Sequence, residues 1–176
     1  MAKKKVVKDE TKVDTRELFA ALAALAEERG LPSDYLIEKI KTAIIGCGRN
    51  ARELHTPILL RHPEFEVIGT YDLVADRAES LANVFAHNGH NCKAFESREA
   101  LLASDVEYVV VLTDSHMHTE VAAACLRAGK NVLITKPWAL DSEDAAFIID
   151  EAKKARDKFG VHLMPFLPQN WGTDLS

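Results

Sequence analysis

The sequence predicts an α/β fold in which a doubly wound parallel sheet follows a short helical hairpin. From about residue 41 onward, short apolar segments alternate with segments of helical periodicity. The apolar segments are nearly continuous rather than alternating, which is typical of parallel strands covered on both faces. We therefore divide the chain into a disordered leader (1–13), a helical hairpin (14–40), a sheet domain (41–169) and a short tail (170–176).

The hairpin is predicted from its caps and its leucine spacing. Asp14 followed by Glu17 is typical of a helix start, and Gly30 stands where a helix C-cap is expected. Ser33 then caps a second short helix. The segment EKIKTAIIGCGRNA (38–51) could extend that helix or begin a strand. We predict a strand from about Lys41, because burying the first strand at the centre of a sheet gains more than one extra helical turn.

The remaining elements follow in strict alternation. We expect helices over 52–61, 76–86, 98–104, 118–129 and 142–160. Strands are expected over 65–72, 92–95, 106–114, 131–136 and 161–166, and the segment 106–114 is expected to be the longest apolar strand.

The charge and residue composition of the chain argue against nucleic acid, a membrane and a metal ion as binding partners. Residues 43–176 carry 13 Lys/Arg against 19 Asp/Glu, a balance of −6, so bulk charge does not favour nucleic acid. No segment is long enough to span a membrane, and three widely spaced cysteines (Cys47, Cys92 and Cys125) favour reduced thiols and a cytoplasmic location. The spacing His87-x2-His90-x-Cys92 is not a usual zinc pattern, so no metal site is predicted.

A glycine-rich turn follows the first predicted strand. Gly46-Cys47-Gly48-Arg49-Asn50-Ala51 matches the pattern G-x-G-x-x-G/A at the point where a strand passes into a helix. Gly46 permits the tight turn, Gly48 lets the backbone approach a pyrophosphate, and Ala51 lets the helix pack close to the strand. The free N–H groups of the helix start, at Arg49 and Asn50, favour a phosphate. This context predicts a dinucleotide-binding Rossmann domain.

An acidic residue completes the pattern. Asp72 ends the second predicted strand, 24 positions after Gly48. A carboxylate at that place accepts hydrogen bonds from the adenosine ribose and repels a 2′-phosphate. No arginine follows immediately, since Leu73, Val74 and Ala75 come next. NAD is therefore predicted, with NADP less favoured.

Residues from about Lys41 to Gln169 closely resemble the N-terminal domain of the Gfo/Idh/MocA oxidoreductases. The resemblance rests on IIGCGRNA, the strand that ends at Asp72, LTDSHMH and TKPWAL, in that order. It implies that Leu112, Thr113 and His116 lie beside the cofactor. It also implies that Lys136 lies near the nicotinamide and donates a hydrogen bond to the substrate oxygen. Two departures are Asp114-Ser115, where the family usually has Pro-Asn, and Thr135, where it usually has Glu.

The same resemblance implies hydride transfer with a sugar- or polyol-like hydroxyl or carbonyl substrate. In that family a second α/β domain binds the substrate, and we expect that domain to be absent here. The isolated chain is then expected to bind a dinucleotide, to show little turnover unless that domain is supplied, and to be able to self-associate through uncovered apolar surface.

Two alternatives remain open at this point. One is a dinucleotide-binding module without catalysis. The other is a transcription-associated protein, because residues 14–40 resemble the N-terminal helices of the transcription factor NusA and could dock RNA polymerase. Saturable binding of NADH is expected for the oxidoreductase domain and for the non-catalytic module. It is not expected for a protein that only docks RNA polymerase.

Overall fold

A computed structural model describes residues 39–166 of the chain, and this part is a six-stranded parallel sheet with helices on both faces. The strand order is β3-β2-β1-β4-β5-β6, the order of a dinucleotide-binding sheet in which the direction of winding reverses between β1 and β4. The strands are β1 (Ile40–Ile45), β2 (Phe65–Tyr71), β3 (Lys93–Ala94), β4 (Tyr108–Val111), β5 (Asn131–Thr135) and β6 (Leu163–Phe166). The predicted doubly wound parallel α/β sheet is confirmed.

Helices connect the strands. A helix starts at residue 49, contains a π-helical segment (Ala51–His55) and continues as α1 (Thr56–Arg61). The others are α2 (Ala75–His87), α3 (Arg98–Leu102), α4 (His118–Arg127) and α5 (Ser142–Phe159), and a 3-10 turn (Ser115–Met117) leads into α4. Within residues 39–166, no helix has both the length and the apolar character that a membrane span needs.

The apolar core has two parts, and the strand residues alternate between them. Ala43 and Ile45 belong to one buried cluster, whereas Ile44 belongs to the other. The same alternation separates Val109 and Val111 from their neighbours Val110 and Leu112 in the two clusters. Because successive side chains of a strand point to opposite faces, both faces of the sheet are covered, as the continuous apolar segments predict.

The ambiguous segment 38–51 is resolved in favour of the strand. Ile40, which we assigned to the end of the hairpin, already belongs to β1, and its N–H donates to the Glu64 carbonyl over 2.8 Å.

The helix after the glycine turn differs from its prediction in two details. It begins before residue 52, and its π-helical segment is not foreseen. In this wider helical turn the Ala51 carbonyl accepts both the Thr56 N–H and, over 2.8 Å, the Thr56 hydroxyl.

The segment 106–114 is not the longest strand. β4 covers four residues, whereas β2 covers seven. Pairing with β1 extends further than the strand itself, because Glu107 N–H donates to Lys41 O and Leu112 N–H donates to Ile45 O, both over 2.8 Å. After Leu112 the chain turns away from the sheet toward the loop of Thr113 and Asp114. The leader, most of the hairpin with its NusA-like pattern, and the tail lie outside the described residues.

Candidate functional site

A cleft of about 610 Å³ opens where β1, β2 and β4 end. Its lining includes residues from the loops that follow these three strands, and it lies at the carboxyl edge of the sheet, where ligands of doubly wound sheets bind. Six of the predicted site residues line it: Gly46, Arg49, Asn50, Asp72, Leu112 and Thr113. The other four, Gly48, Ala51, His116 and Lys136, do not.

Gly46 is required by the fold itself. Its φ is +96°, a conformation that favours glycine, and its N–H donates to the Tyr71 carbonyl over 2.9 Å. A Cβ at this position would lie 2.5 Å from the Leu112 carbonyl carbon and 2.6 Å from the Thr113 nitrogen. The turn after β1 therefore touches the backbone at the end of β4, and only glycine permits that contact.

Gly48 differs from Gly46, because a Cβ there would meet no atom of the described part of the chain within 4 Å. The packing of residues 39–166 thus gives no reason for a glycine at this position. The open space lies directly before the helix that starts at residue 49, where backbone N–H groups have no helical partner. A bound pyrophosphate fits this arrangement, because it needs close backbone approach and N–H donors.

Asp72 joins the ends of β1 and β2. Its Oδ2 accepts a hydrogen bond from the Cys47 N–H over 2.7 Å, and its Oδ1 accepts one from the Val74 N–H over 2.9 Å. Each carboxylate oxygen can accept a further hydrogen bond, so the side chain can also bind ribose hydroxyls. Asp72 therefore has a positioning role that the sequence does not reveal, in addition to its predicted contact with the cofactor.

Two neighbouring side chains hold the glycine turn in place. The Cys47 side chain is fully buried, and burial, reinforced by the charge of Asp72, raises the pKa of its thiol to about 12. The thiol is thus protonated and unsuited to nucleophilic attack. Arg52 was not predicted as a site residue, yet it donates to the carbonyls of Cys47 and Arg77 over 3.2 and 3.0 Å. It ties the turn to α2.

Thr113 and His118 organise the loop after β4. The Thr113 hydroxyl oxygen is buried and has no hydrogen-bond partner among residues 39–166. His118 is 1% exposed, with Nε2 3.0 Å from the Thr113 carbonyl and Nδ1 2.7 Å from the Pro137 carbonyl. A neutral imidazole donates one of these two hydrogen bonds, and an imidazolium donates both. His118 thereby links the loops after β4 and β5.

The remaining predicted residues lie around this framework. Ala51 is fully buried against the strands, in keeping with its predicted packing role. Lys136 follows β5 directly and is exposed. His116 is also exposed, and its Nδ1 lies 3.1 Å from Asp114 Oδ1, a contact that lowers the pKa of Asp114. The described residues contain no group of three or more His, Cys, Asp or Glu arranged for a metal ion.

Family comparison agrees with this geometry. A family described as oxidoreductases with an NAD-binding Rossmann fold, GFO_IDH_MocA, matches residues 40–163. The chain belongs to the Gfo/Idh/MocA oxidoreductase family. Residues 40–163 are an NAD-binding Rossmann domain of that family, as the motifs predict.

The chain is similar to dehydrogenases that are named for different substrates. The chain is 33% identical over 115 residues to a UDP-N-acetylglucosamine 3-dehydrogenase of Acidithiobacillus ferrooxidans, a match that covers 65% of the chain and 34% of the relative. It is 28% identical over 140 residues to scyllo-inositol 2-dehydrogenase (NADP(+)) of Bacillus subtilis, covering 78% of the chain and 36% of the relative.

A solved structure of an NAD-binding protein from Listeria innocua superimposes with a TM-score of 0.66 at 32% identity, covering 78% of the chain and 38% of that protein. The chain spans about a third of the length of the curated relatives it matches.

Proposed function

We propose that this chain binds a nicotinamide dinucleotide in the cleft between the ends of β1, β2 and β4. The pyrophosphate lies at the edge of this cleft, over Gly48 and against the helix start at Arg49 and Asn50, which line it, and the adenosine ribose lies against Asp72. The observation that carries the proposal is the contrast between the two glycines. Gly46 is explained by the fold, whereas the space beside Gly48 is filled by no part of residues 39–166.

NAD is the preferred form in this proposal. The Asp72 carboxylate lines the cleft, where it would receive hydrogen bonds from the ribose hydroxyls and would repel a 2′-phosphate. Its two backbone N–H partners hold the carboxylate at the end of β2. Arg77 also lines the cleft, five positions further along, so a positive charge lies within the same region. NADP is therefore expected to bind more weakly than NAD rather than to be excluded.

The chemistry proposed for the family member that contains this domain is hydride transfer with a sugar- or polyol-like substrate. A bound nicotinamide accepts or supplies the hydride. Lys136, exposed at the end of β5, would donate a hydrogen bond to the substrate oxygen whose protonation changes. The similarity to dehydrogenases of an inositol and of a nucleotide sugar supports this substrate class. The three cysteines, all free thiols, support a cytoplasmic location.

Titration with NADH, followed by nicotinamide fluorescence, tests the binding proposal. We expect saturable binding by the 176-residue chain and weaker binding of NADPH. Gly48→Val should reduce NADH affinity at least about tenfold, because the side chain would fill the space proposed for the pyrophosphate. The unfolding midpoint of Gly48→Ala should change little, since a Cβ at this position meets no atom of residues 39–166 within 4 Å, and the midpoint of Gly48→Val is measured to separate lost binding from lost folding.

Absence of saturable binding by the wild-type chain would refute the proposal. Equal affinity of the wild type and Gly48→Val would refute the assigned position of the pyrophosphate. Tighter binding of NADPH than of NADH would refute the assigned role of Asp72 in selecting between the two cofactors.

A further inference from the structure

We propose that the ion pair between Arg98 and Glu120 recognises the edge of the adenine base, so that the cleft distinguishes adenine from hypoxanthine. This inference rests on the proposed function and adds to it a specificity for the base. The proposed function requires only that the base find an apolar surface. Recognition of its edge requires polar groups at a defined place in the cleft.

The position of the ribose fixes the direction in which the base extends. Asp72 is followed by Leu73 and Val74, whose side chains line the cleft while remaining 84% and 45% exposed. Met117 and Val121, at the other side of β1, contribute further apolar lining. A base attached to a ribose at Asp72 would thus lie between apolar side chains, which suits the faces of an aromatic ring.

The polar groups of this part of the cleft come from two different helices. Arg98 begins α3, Glu120 lies in the first turn of α4, and both line the cleft. Arg98 Nη1 donates to Glu120 Oε1 over 2.9 Å, and its Nε lies 3.4 Å from Glu99 Oε1. The Arg98 side chain is only 25% exposed, whereas that of Glu120 is 61% exposed.

The ion pair leaves one hydrogen-bond donor and one hydrogen-bond acceptor available to a ligand. Glu120 retains a second carboxylate oxygen as an acceptor, and the Arg98 guanidinium retains Nη2 as a donor, since its ion pairs within residues 39–166 engage Nη1 and Nε. The start of α3 is itself fixed, because the Ser97 hydroxyl accepts the Ala100 N–H over 3.0 Å. A donor and an acceptor are therefore held side by side.

This arrangement complements adenine. Its exocyclic N6 amino group is a donor and its adjacent N1 is an acceptor, so N6 can donate to Glu120 while N1 accepts from Arg98. Hypoxanthine presents the reverse order, with an acceptor oxygen at position 6 and an N–H at position 1. An oxygen would then face the Glu120 carboxylate and an N–H would face the guanidinium. Both contacts are unfavourable, and this mismatch is the source of the expected discrimination.

Calorimetric titration of the full chain with NAD and with nicotinamide hypoxanthine dinucleotide tests this proposal. Wild type should bind the hypoxanthine form about tenfold more weakly, since hydrogen bonds to charged groups are lost. Glu120→Gln should bring the two affinities within about threefold, because an amide can donate to the position-6 oxygen as well as accept. Arg98→Lys should also reduce the difference, because an ammonium lacks the planar arrangement of donors.

Asp105→Asn is the matched control. It removes one negative charge from an ion pair with Lys41 (2.6 Å) at the start of β1, away from the carboxyl edge of the sheet, and should leave the preference for adenine unchanged. Equal binding of the two dinucleotides by the wild type would overturn the inference while leaving the proposed function intact. An unchanged preference in both Glu120→Gln and Arg98→Lys would assign the pair a purely structural role. Binding of neither dinucleotide would overturn both proposals.

Discussion

The two halves of the candidate site are built in different ways. In the half formed by the ends of β1 and β2, called here the acid half, Asp72 accepts the Cys47 and Val74 N–H groups and Gly46 N–H donates to Tyr71. In the half formed by the ends of β4 and β5, called here the lysine half, the Thr113 hydroxyl has no partner within residues 39–166 and Lys136 is exposed.

The difference shows which parts of such a site are determined locally. The acid half is fixed by a turn and an acidic residue on adjacent strands, so its polar groups satisfy one another. The lysine half is held chiefly by His118, whose ring spans the carbonyls of Thr113 and Pro137. Substitution of Gly46 should therefore lower the free energy of unfolding more than substitution of His118.

The largest effect is expected at Gly46, where the two halves meet. Gly46→Ala should lower the free energy of unfolding by more than about 3 kcal/mol, because it combines an unfavourable φ with a clash against backbone. The Cβ would lie 2.5 Å from the Leu112 carbonyl carbon, which cannot move independently of β4. Urea denaturation followed by circular dichroism measures this.

Gly48→Ala is the matched control for Gly46→Ala, because its Cβ meets no described residue within 4 Å. It should change the free energy of unfolding by less than about 1 kcal/mol. Equal destabilisation by the two substitutions would contradict the division between a glycine required by the fold and a glycine that leaves space for a ligand.

A smaller effect is expected for His118→Ala, which should lower the free energy of unfolding by about 1–3 kcal/mol, since it leaves a cavity and removes the ring that contacts the carbonyls of Thr113 and Pro137. Binding of NADH should weaken as well, because the loop of Thr113 loses its link to Pro137. Denaturation and NADH titration of the same preparation separate the two effects.

His116→Ala provides the comparison, because this exposed histidine lies two positions away. Its substitution should change stability by less than about 0.5 kcal/mol. If His116→Ala and His118→Ala behave alike, the assigned linking role of His118 is wrong.

The sequence predicts the acid half better than the lysine half for a physical reason. Apolar strand segments and a glycine turn followed by an acid are local patterns, and the structure places Gly46 and Asp72 in one cleft. The extent of β4 is not local, because it depends on where pairing with β1 ends and the chain turns. The π-helical segment after Asn50 has no signal in the apolar spacing either, and is seen only in the contacts that Thr56 makes with the Ala51 carbonyl.

The roles of His118 and Arg52 could not be predicted from spacing alone. His118 reaches Pro137, 19 positions away, and Arg52 reaches Arg77, 25 positions away. One signal was available for His118, because a histidine at the start of an otherwise apolar helix is a candidate for burial beside a loop. The functional assignments of Leu112, Thr113, His116 and Lys136 rest on family resemblance and stay predictions.

Backbone amide chemical-shift mapping with NAD tests the central claim most directly. We predict that addition of NAD shifts the resonances of Gly48, Arg49 and Asn50, together with those of residues 72–74 and 112–114, in a saturable manner. Gly48→Val should reduce all these shifts together. Saturable shifts confined to other parts of the chain, or no shifts at millimolar NAD, would contradict the assignment of this cleft as the dinucleotide site.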